Sequence, residues 1–172
     1  MSDATLTVAS MRSLRLSYEA RETIAQLMAD YAAAIDNDEL ELWPDFFLEK
    51  CLYSVISRSN YEAGRQAGFI YCDSRGMLID RIRALRSANV YQPHLYRHIQ
   101  SPTRVVAASN GVIKAETNYA VIRVSVPDGA MVVFSVGRYL DEIILEDSRA
   151  RFRSRIAVTD SDMIDMLLVI PV

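Results

Sequence analysis

The chain has 172 residues, of which 51% are hydrophobic and 24% charged, and its net charge is -3 at neutral pH. This length and composition predict one ordinary folded domain and argue against a disordered chain. The slight acidic excess gives no electrostatic reason to expect nucleic acid or an anionic membrane as a partner.

The first sixteen residues do not form a recognisable targeting segment. They lack the basic and apolar regions of a secretory signal and the Arg-rich amphipathic pattern of a transit peptide. The longest apolar run is only Met166 to Val172, far too short to span a membrane. We therefore expect a cytoplasmic protein with a flexible N-terminal arm over residues 1–16 and a single domain over residues 17–172.

The first long helix is predicted to begin at Ser17, a candidate N-cap, and to end at Asp36-Asn37-Asp38. Its apolar residues recur at the spacing of a helix with one buried face. These residues are Ala20, Ile24, Leu27, Met28, Tyr31, Ala34 and Ile35.

A short second helix is expected directly afterwards, because Asp38 followed by Glu41 has the form of a capping box. This helix would stop near Pro44, after which Phe46 and Phe47 would fill the core. The apolar residues that it carries are Leu40, Leu42 and Trp43.

A strand is predicted over Leu52 to Ser57, followed by a turn-rich stretch with Gly64 and Gly68. A third helix, capped by Asp73 or Ser74, should then continue to about Asn89. Arg83 and Arg86 should lie on its outer side, and the inward residues should be Met77, Leu78, Ile82 and Leu85.

After Pro93 the apolar pattern changes to period two and predicts a sheet. Asn110-Gly111 is a strong hairpin signal, since a type I′ turn needs positive φ at both central residues. Pro127-Asp128-Gly129 and Asp147-Ser148 mark two further reversals. Because these turns join successive strands directly, we expect a mainly antiparallel meander that curls around the first helix as an α+β cone. A doubly wound nucleotide-binding fold is excluded, because strands and helices do not alternate and no Gly-rich phosphate loop is present.

The cysteines and histidines are too few and too far apart for a redox-metal site. Cys51 and Cys72 have no CxxC spacing and should be buried thiols. His94 and His98 lie on a predicted strand, where residues four apart are roughly 13 Å from each other, too far to chelate one ion. A Rieske centre alone uses two Cys and two His, and a facial-triad iron needs two more His, so the chain cannot supply both.

An acid–base site is the main catalytic alternative. Asp30 or Asp36, with Tyr31, Tyr53 and His98, could line the open end of a cone, as carboxylate, Tyr and His groups do in some cone-fold dehydratases and isomerases. Aspartates at helix ends more often cap the turn or face solvent.

Two surface features suggest contacts with a partner. Arg149, Arg151, Arg153 and Arg155 alternate along the last strand, so we expect one basic face there and Phe152 with Ile156 on the other. The apolar end of the chain, Met163 to Val172, should be held in its own core or against another subunit.

Several stretches, in order over residues 20–172, resemble the small (β) subunits of aromatic-ring-hydroxylating dioxygenases. They are Tyr31 to Asp36, Trp43 to Phe47, Ser74 to Arg81, Tyr96-Arg97-His98, Asn118 to Arg123, Gly137-Arg138-Tyr139, Asp160 to Asp165 and Ile170-Pro171-Val172. The Trp43 to Phe47 and Met77 to Arg81 stretches look closest to small subunits of oxygenases for aromatic carboxylates, such as terephthalate dioxygenase or salicylate 5-hydroxylase.

The resemblance implies a fold like that of scytalone dehydratase and nuclear transport factors. It implies a trimer of small subunits supporting three large (α) subunits, which would hold a Rieske iron–sulfur cluster and a mononuclear Fe(II). Electrons would come from NADH through separate reductase or ferredoxin proteins. This chain would then carry no cofactor, metal or catalytic residue.

The expected task of the chain is assembly and rigid support. Buried or interfacial contacts are expected from Trp43, Tyr96, Arg97, His98, Arg123, Arg138, Arg153 and Ile170. The alternatives are a free-standing cone-fold dehydratase or isomerase that uses His98 with Asp30 or Asp36, and a ligand-binding or dimerisation module.

Overall fold

The computed structural model describes residues 16–88, 93–146, 149–163 and 170–172. The predicted N-terminal arm therefore lies outside the described residues except for Leu16, which packs against the core. Within the described part of the chain, no helix is long and apolar enough to cross a membrane. The elements are α1 (Tyr18–Asp36), a 3₁₀ helix (Leu40–Phe46), β1 (Phe47–Ser57), α2 (Arg58–Glu62), β2 (Ile70–Cys72), α3 (Arg75–Ala88), β3 (His94–Gln100), β4 (Arg104–Ser109), β5 (Val112–Ser125), β6 (Met131–Glu146) and β7 (Arg149–Thr159).

The strands form one mixed, mainly antiparallel sheet in the order β2-β1-β7-β6-β5-β3, with β4 also paired to β5. The predicted meander is present, since β4, β5, β6 and β7 pair successively and antiparallel. β1 pairs with β7 in parallel, which joins the first and the last of the described strands. This pairing was not predicted, because no turn connects the two strands.

The predicted reversals follow the expected backbone chemistry. Asn110 and Gly111 have φ values of 51° and 76°, as a type I′ hairpin requires. Gly129 has a φ of 70°, and its N–H donates to the carbonyl of Ser125 across the β5–β6 turn. The third predicted turn, Asp147-Ser148, lies outside the described residues.

The segment after α1 differs from its prediction. The expected capping box does not form, because Asp38 adopts a left-handed backbone with φ 59° and its carboxylate instead accepts from Arg86. The following helix is 3₁₀, includes Pro44 and leaves Leu42 exposed. Phe47 is buried as expected, and β1 begins there rather than at Leu52.

Three further differences concern short or exposed segments. Met77 was predicted to face inward but is exposed, whereas the other apolar residues predicted for α3 (Leu78, Ile82 and Leu85) are buried. The five-residue helix α2 and the three-residue strand β2 were not predicted. Both are too short to give a periodic signal.

The buried face of α1 lies against the inner face of the curved sheet, where the helix contacts both β3 and β7. Ser17 caps the helix, since its hydroxyl accepts the N–H of Ala20 at 3.1 Å. The buried residues of α1 are Ile24, Leu27, Met28, Tyr31, Ala34 and Ile35, as the helical spacing predicts.

The predicted row of four arginines on β7 is wrong because of a β-bulge. Phe152 pairs with Ile143 and Ser154 with Glu142, so Arg153 is an extra residue without an opposite partner. An extra residue exchanges the two faces of the strand beyond it. Arg155 therefore points inward, on the same side as Phe152, and is completely buried.

Arg155 forms a buried ion pair with Asp141, the residue opposite it on β6. Nε and Nη2 of the guanidinium donate to the two carboxylate oxygens, each at 2.9 Å. Burial raises the pKa of Asp141 and Arg155 opposes this rise. Burial also lowers the pKa of Arg155, but Asp141, together with Tyr31 and Tyr139, outweighs this effect, so that this pKa lies above its ordinary value. The two-point geometry favours the ionised pair.

Replacing Arg155 should destabilise the fold far more than replacing its neighbour on the same strand. Arg155→Met leaves the buried Asp141 carboxylate without its partner, and we expect a loss of about 3 to 5 kcal/mol in the free energy of unfolding. Arg153→Met is the matched control, because its side chain is 56% exposed and lies 3.7 Å from Glu142. That change should cost less than about 1 kcal/mol.

Urea unfolding of both variants measures the difference. Adding Asp141→Leu to Arg155→Met should recover much of the lost stability, since no buried charge then remains. Equal, small losses for both single variants would contradict this account of the pair.

Candidate functional site

The interior of the cone, where a substrate of a cone-fold enzyme would sit, is filled by side chains. The guanidinium carbon of Arg155 lies 4.2 Å from the ring centroids of Tyr31 and Tyr139, and 4.0 Å from that of Phe152. Such stacking on aromatic faces is favourable for a desolvated guanidinium. Phe152 also packs on Phe47 with ring centroids 5.3 Å apart.

The end of the chain closes this interior. Ile170, Pro171 and Val172 are buried, as expected for a tail held in its own core. The carbonyl oxygen of Val172 accepts hydrogen bonds from the phenols of Tyr31 and Tyr53, both at 3.0 Å, and its N–H donates to the Tyr53 oxygen at 3.1 Å. Residues 164–169 of the predicted apolar tail lie outside the described residues.

His98 and Asp36 form the closest pair of ionisable side chains from the predicted acid–base group. The Asp36 carboxylate accepts the backbone N–H of His98 at 2.9 Å and lies 2.6 Å from Nδ1 of its imidazole. The imidazole is fully buried, and the carboxylate is 7% exposed. Arg97 adds a longer contact to the same carboxylate, at 3.8 Å. The pair fastens strand β3 to the end of α1.

The other members of that group lie apart from this pair. Asp30 is exposed and accepts from Gln26, one turn earlier on α1, at 2.7 Å. Tyr31 and Tyr53 are engaged with Val172. The structure therefore brings Asp36 to His98 but does not bring Asp30 to either of them.

A pocket of about 590 Å³ opens beside the Asp36–His98 pair. Arg86 lines it, but its guanidinium is bound to Asp38 at 2.9 Å and to Glu41 at 2.8 Å. Of the charged side chains that line the pocket, Arg86 and Asp38 are thus paired with each other, and Asp36 is in contact with His98. The other described residues that line the pocket are Ile35, Asp36, Leu85, Pro93, His94, Leu95, Tyr96, Val126 and Ile170.

The remaining residues predicted to make buried or interfacial contacts lie in two settings. Trp43 is fully buried against Tyr53, with ring centroids 4.9 Å apart. Tyr96 stacks on Phe134 at 5.1 Å, and Arg123 lies over the same Phe134 ring at 5.2 Å.

Arg138 and Arg153 lie on the outer side of the sheet. Arg138 is half-buried opposite Asn118 and Val158. Arg153 is exposed and lies near Glu142. The role of these residues in an interface stays a prediction.

The cysteines and histidines do not converge on one centre. Cys51 and Cys72 are buried free thiols on β1 and β2, at one end of the strand order, while His94 and His98 lie on β3 at the other end. The Tyr96 ring lies between the two imidazoles, with centroid distances of 4.8 and 6.4 Å. Among the described residues, no three His, Cys, Asp or Glu side chains are grouped closely enough to hold a metal ion.

Sequence reasoning missed the Arg155–Asp141 pair. One signal was present: Asp141 occupies an inward position between Tyr139 and Ile143 in a strand of period two. A carboxylate at such a position needs a buried cation. The bulge at Arg153, which supplies that cation, leaves no mark in the hydrophobic pattern.

The buried phenols should make the folded state sensitive to alkali. Burial raises the pKa of Tyr119 to about 12, raises those of Tyr53 and Tyr139 well above the ordinary value, and raises that of Tyr31 against the opposing effect of Arg155. A folded pKa above the unfolded one gives stability that is complete below about pH 10 and is lost as the pH rises beyond it.

Absorbance at 295 nm, which reports tyrosinate, should therefore show at least four of the nine phenols ionising late and together with unfolding. The chain in concentrated guanidinium is the control and should ionise all nine in a single step near pH 10. A single step at that pH in a chain whose circular dichroism stays native would contradict the burial of these groups.

Most of the chain is similar in sequence to proteins of known family. A family model described as a SnoaL-like domain matches residues 17–156. The beta 2 subunit of the terminal oxygenase component of terephthalate 1,2-dioxygenase from Comamonas sp is 40% identical over 148 residues, which cover 86% of this chain and 96% of that protein. The small subunit of anthranilate 1,2-dioxygenase from Burkholderia cepacia is 34% identical over 149 residues, covering 87% and 92%.

Solved structures give the same result. A beta subunit from Novosphingobium aromaticivorans, described as part of an aromatic-ring-hydroxylating dioxygenase, superposes with a TM-score of 0.82 at 36% identity, over 89% of this chain and 97% of that one. A chain described as a scytalone dehydratase from the same organism gives a TM-score of 0.62 at 15% identity, over 88% of each chain, which shows a shared fold alone. The expected cone fold and the family resemblance are both confirmed: the chain is a member of the small-subunit family of aromatic-ring-hydroxylating dioxygenases, built on a SnoaL-like domain.

Proposed function

We propose that this chain is a non-catalytic structural subunit that assembles with a large oxygenase subunit and supports it. The observation that carries the proposal is the filled interior of the cone. Arg155 and its aromatic neighbours occupy the centre of the cone, and the carbonyl of Val172 accepts hydrogen bonds from two phenols beside them. A subunit whose centre is filled by side chains contacts its partners through its surface.

The proposed assembly contains three large and three small subunits, with the small subunits in contact with one another. The Rieske iron–sulfur cluster and the mononuclear Fe(II) belong to the large subunit in this proposal, and electrons reach them from NADH through reductase or ferredoxin proteins. The placement of Cys51 and Cys72 far from His94 and His98 supports this division. We assign the assembly to the cytoplasm.

The substrate class that we propose is an aromatic carboxylate. The two named relatives are small subunits of a terephthalate and an anthranilate dioxygenase. Because Arg155 and the aromatic rings around it fill the centre of the cone, this proposal rests on ancestry and concerns the complex as a whole.

A free-standing dehydratase or isomerase has less support. The Asp36–His98 contact would suit proton transfer, but its imidazole is fully buried and Asp30 lies elsewhere on the surface. A ligand-binding or dimerisation module would have to use the pocket beside Asp36. In that pocket Arg86 is paired with Asp38, and Asp36 is in contact with His98, so these side chains are already engaged within the chain.

Co-expression with the genes that flank it tests the proposal. We expect an affinity tag on this chain to retain a larger, brown protein that contains iron and labile sulfide and that oxidises an aromatic carboxylate when a reductase and NADH are supplied. A colourless preparation of this chain alone that turns over a substrate unaided would overturn the proposal in favour of the dehydratase.

His98→Ala should weaken the fold or the assembly without altering the chemistry. The variant leaves the Asp36 carboxylate without the imidazole, and β3 loses its side-chain attachment to α1. We expect a lower midpoint of unfolding and a lower yield of complex, but unchanged kcat per iron in the complex that does form. Arg97→Ala removes only the longer, exposed contact to Asp36 and serves as the control. A large fall in kcat in fully assembled, iron-replete His98→Ala complex would contradict a supporting role.

A further inference from the structure

Two phenols from different elements of the fold converge on one oxygen atom. Tyr31 on α1 and Tyr53 on β1 both donate to the carbonyl oxygen of Val172 at 3.0 Å. We call Ile170, Pro171 and Val172, all of them buried, the tail segment. Two donors aimed at a single oxygen are the arrangement that binds a carbonyl or a carboxylate group, and here the tail segment supplies that oxygen.

Aromatic packing fixes the direction of the two phenols. The Tyr31 ring packs edge-on against Phe152, with ring centroids 5.6 Å apart, and the Tyr53 ring packs edge-on against Trp43, at 4.9 Å. All four rings are fully buried. Because the oxygen of a phenol lies in the plane of its ring, fixing the ring fixes the oxygen. The two donors therefore do not depend on the tail segment for their position.

The charges near these phenols favour an acceptor that is negatively charged. Burial raises the pKa of Tyr31 and of Tyr53, but Arg155 acts against this rise at Tyr31, and Arg81 acts against it at Tyr53. A guanidinium with this effect stabilises negative charge at the phenol oxygen. Hydrogen bonds to an ionised acceptor are also stronger than those to a neutral one. A carboxylate oxygen suits the two donors on both counts.

An open pocket leads to the tail segment. Ile170 lines the pocket of about 590 Å³ beside Asp36, whereas Val172, two residues later, is completely buried. The tail segment thus extends from the wall of the pocket to the two phenols. Pockets of roughly 300 to 1,000 Å³ accept small organic molecules. A molecule that enters this pocket therefore meets the tail segment, behind which the two phenols lie.

We propose that Tyr31 and Tyr53 form a binding site for the carboxylate of a small aromatic acid, which competes with the tail segment for the two phenols. The choice of an aromatic acid rests on the proposed function, in which the complex acts on this class of substrate. Arg155 and the rings around it stay in place, and only the tail segment exchanges. The small subunit then responds to the substrate class of the complex by releasing its tail segment.

The tail segment competes strongly because it belongs to the same chain. A tethered group has an effective concentration of roughly millimolar, which a free acid has to exceed. The intact chain should therefore bind an aromatic acid weakly. A chain shortened by residues 170–172 should bind it about tenfold more tightly or better, because the competitor is gone.

Calorimetric titration with benzoate tests the site in the shortened chain, with circular dichroism confirming that it folds. Tyr53→Phe in the shortened chain should weaken benzoate binding by about tenfold, the effect of losing one hydrogen bond to a charged group. Tyr119→Phe is the matched control, because the Tyr119 hydroxyl is also buried but bonds to Ser135 at 3.0 Å, and it should leave binding unchanged. A folded shortened chain that does not bind benzoate, or binds it equally well with Tyr53→Phe, would overturn the proposal.

Hydrogen exchange in the intact chain gives an independent measurement that does not need the shortened one. The backbone N–H of Val172 donates to the Tyr53 oxygen at 3.1 Å and should exchange faster when an acid displaces the tail segment. We expect this acceleration with benzoate at concentrations on the order of 10 mM and not with benzyl alcohol, which has the same ring without the carboxylate. The amides of β6 and β7 are the reference for general unfolding.

Equal exchange of the Val172 amide in benzoate and in benzyl alcohol would overturn the proposal, whether or not the shortened chain folds. Both measurements use the small subunit alone. A negative result would therefore leave the proposed function in place, whereas failure to co-purify a large iron-containing subunit would count against that function and not against the site.

Discussion

The buried pair of Arg155 and Asp141 imposes the strictest constraint on this structure. An unpaired charge in the interior is too costly to keep, so β6 and β7 must pair in the single register that sets the two residues opposite each other. The bulge at Arg153 makes this register possible, because it turns Arg155 to the inner face of the sheet, opposite Asp141. The aromatic rings of Tyr31, Tyr139 and Phe152 then enclose the guanidinium, and Tyr31 is the residue through which α1 joins this cluster.

A cone fold offers an interior that can be left open for a small molecule or filled for rigidity. Here the fold is filled, with a charged centre and with Val172 joined to two phenols at the mouth. The Asp36–His98 pair shows the same tendency, since a carboxylate and an imidazole that could exchange a proton instead join a helix end to a strand. Groups typical of catalysis thus hold elements of the fold together.

The sequence predicts those parts of the structure that depend on neighbouring residues. The long helix, the buried thiols, the Asn110-Gly111 hairpin and the antiparallel order of β4 to β7 all follow from local spacing or turn chemistry. The parallel pairing of β1 with β7 joins distant segments, so no local pattern encodes it. Asp36 and His98, which the catalytic alternative named together, do lie in contact, but Asp30 does not join them. Arg155 was assigned to the wrong face because strict alternation assumes an unbroken strand.

The bulge at Arg153 also changes what kind of sequence change this strand can tolerate. Its side chain is largely solvent-exposed, so its chemical identity contributes little to the core. What matters is that the strand contains one extra residue at this point, because that residue decides which face of the sheet each side chain from Ser154 to Thr159 occupies. A substitution at this position alters one surface contact, whereas a one-residue deletion would turn Arg155 and Ala157 outward together and separate Asp141 from its cation. The length of this strand is therefore more constrained than the identity of the residue at position 153.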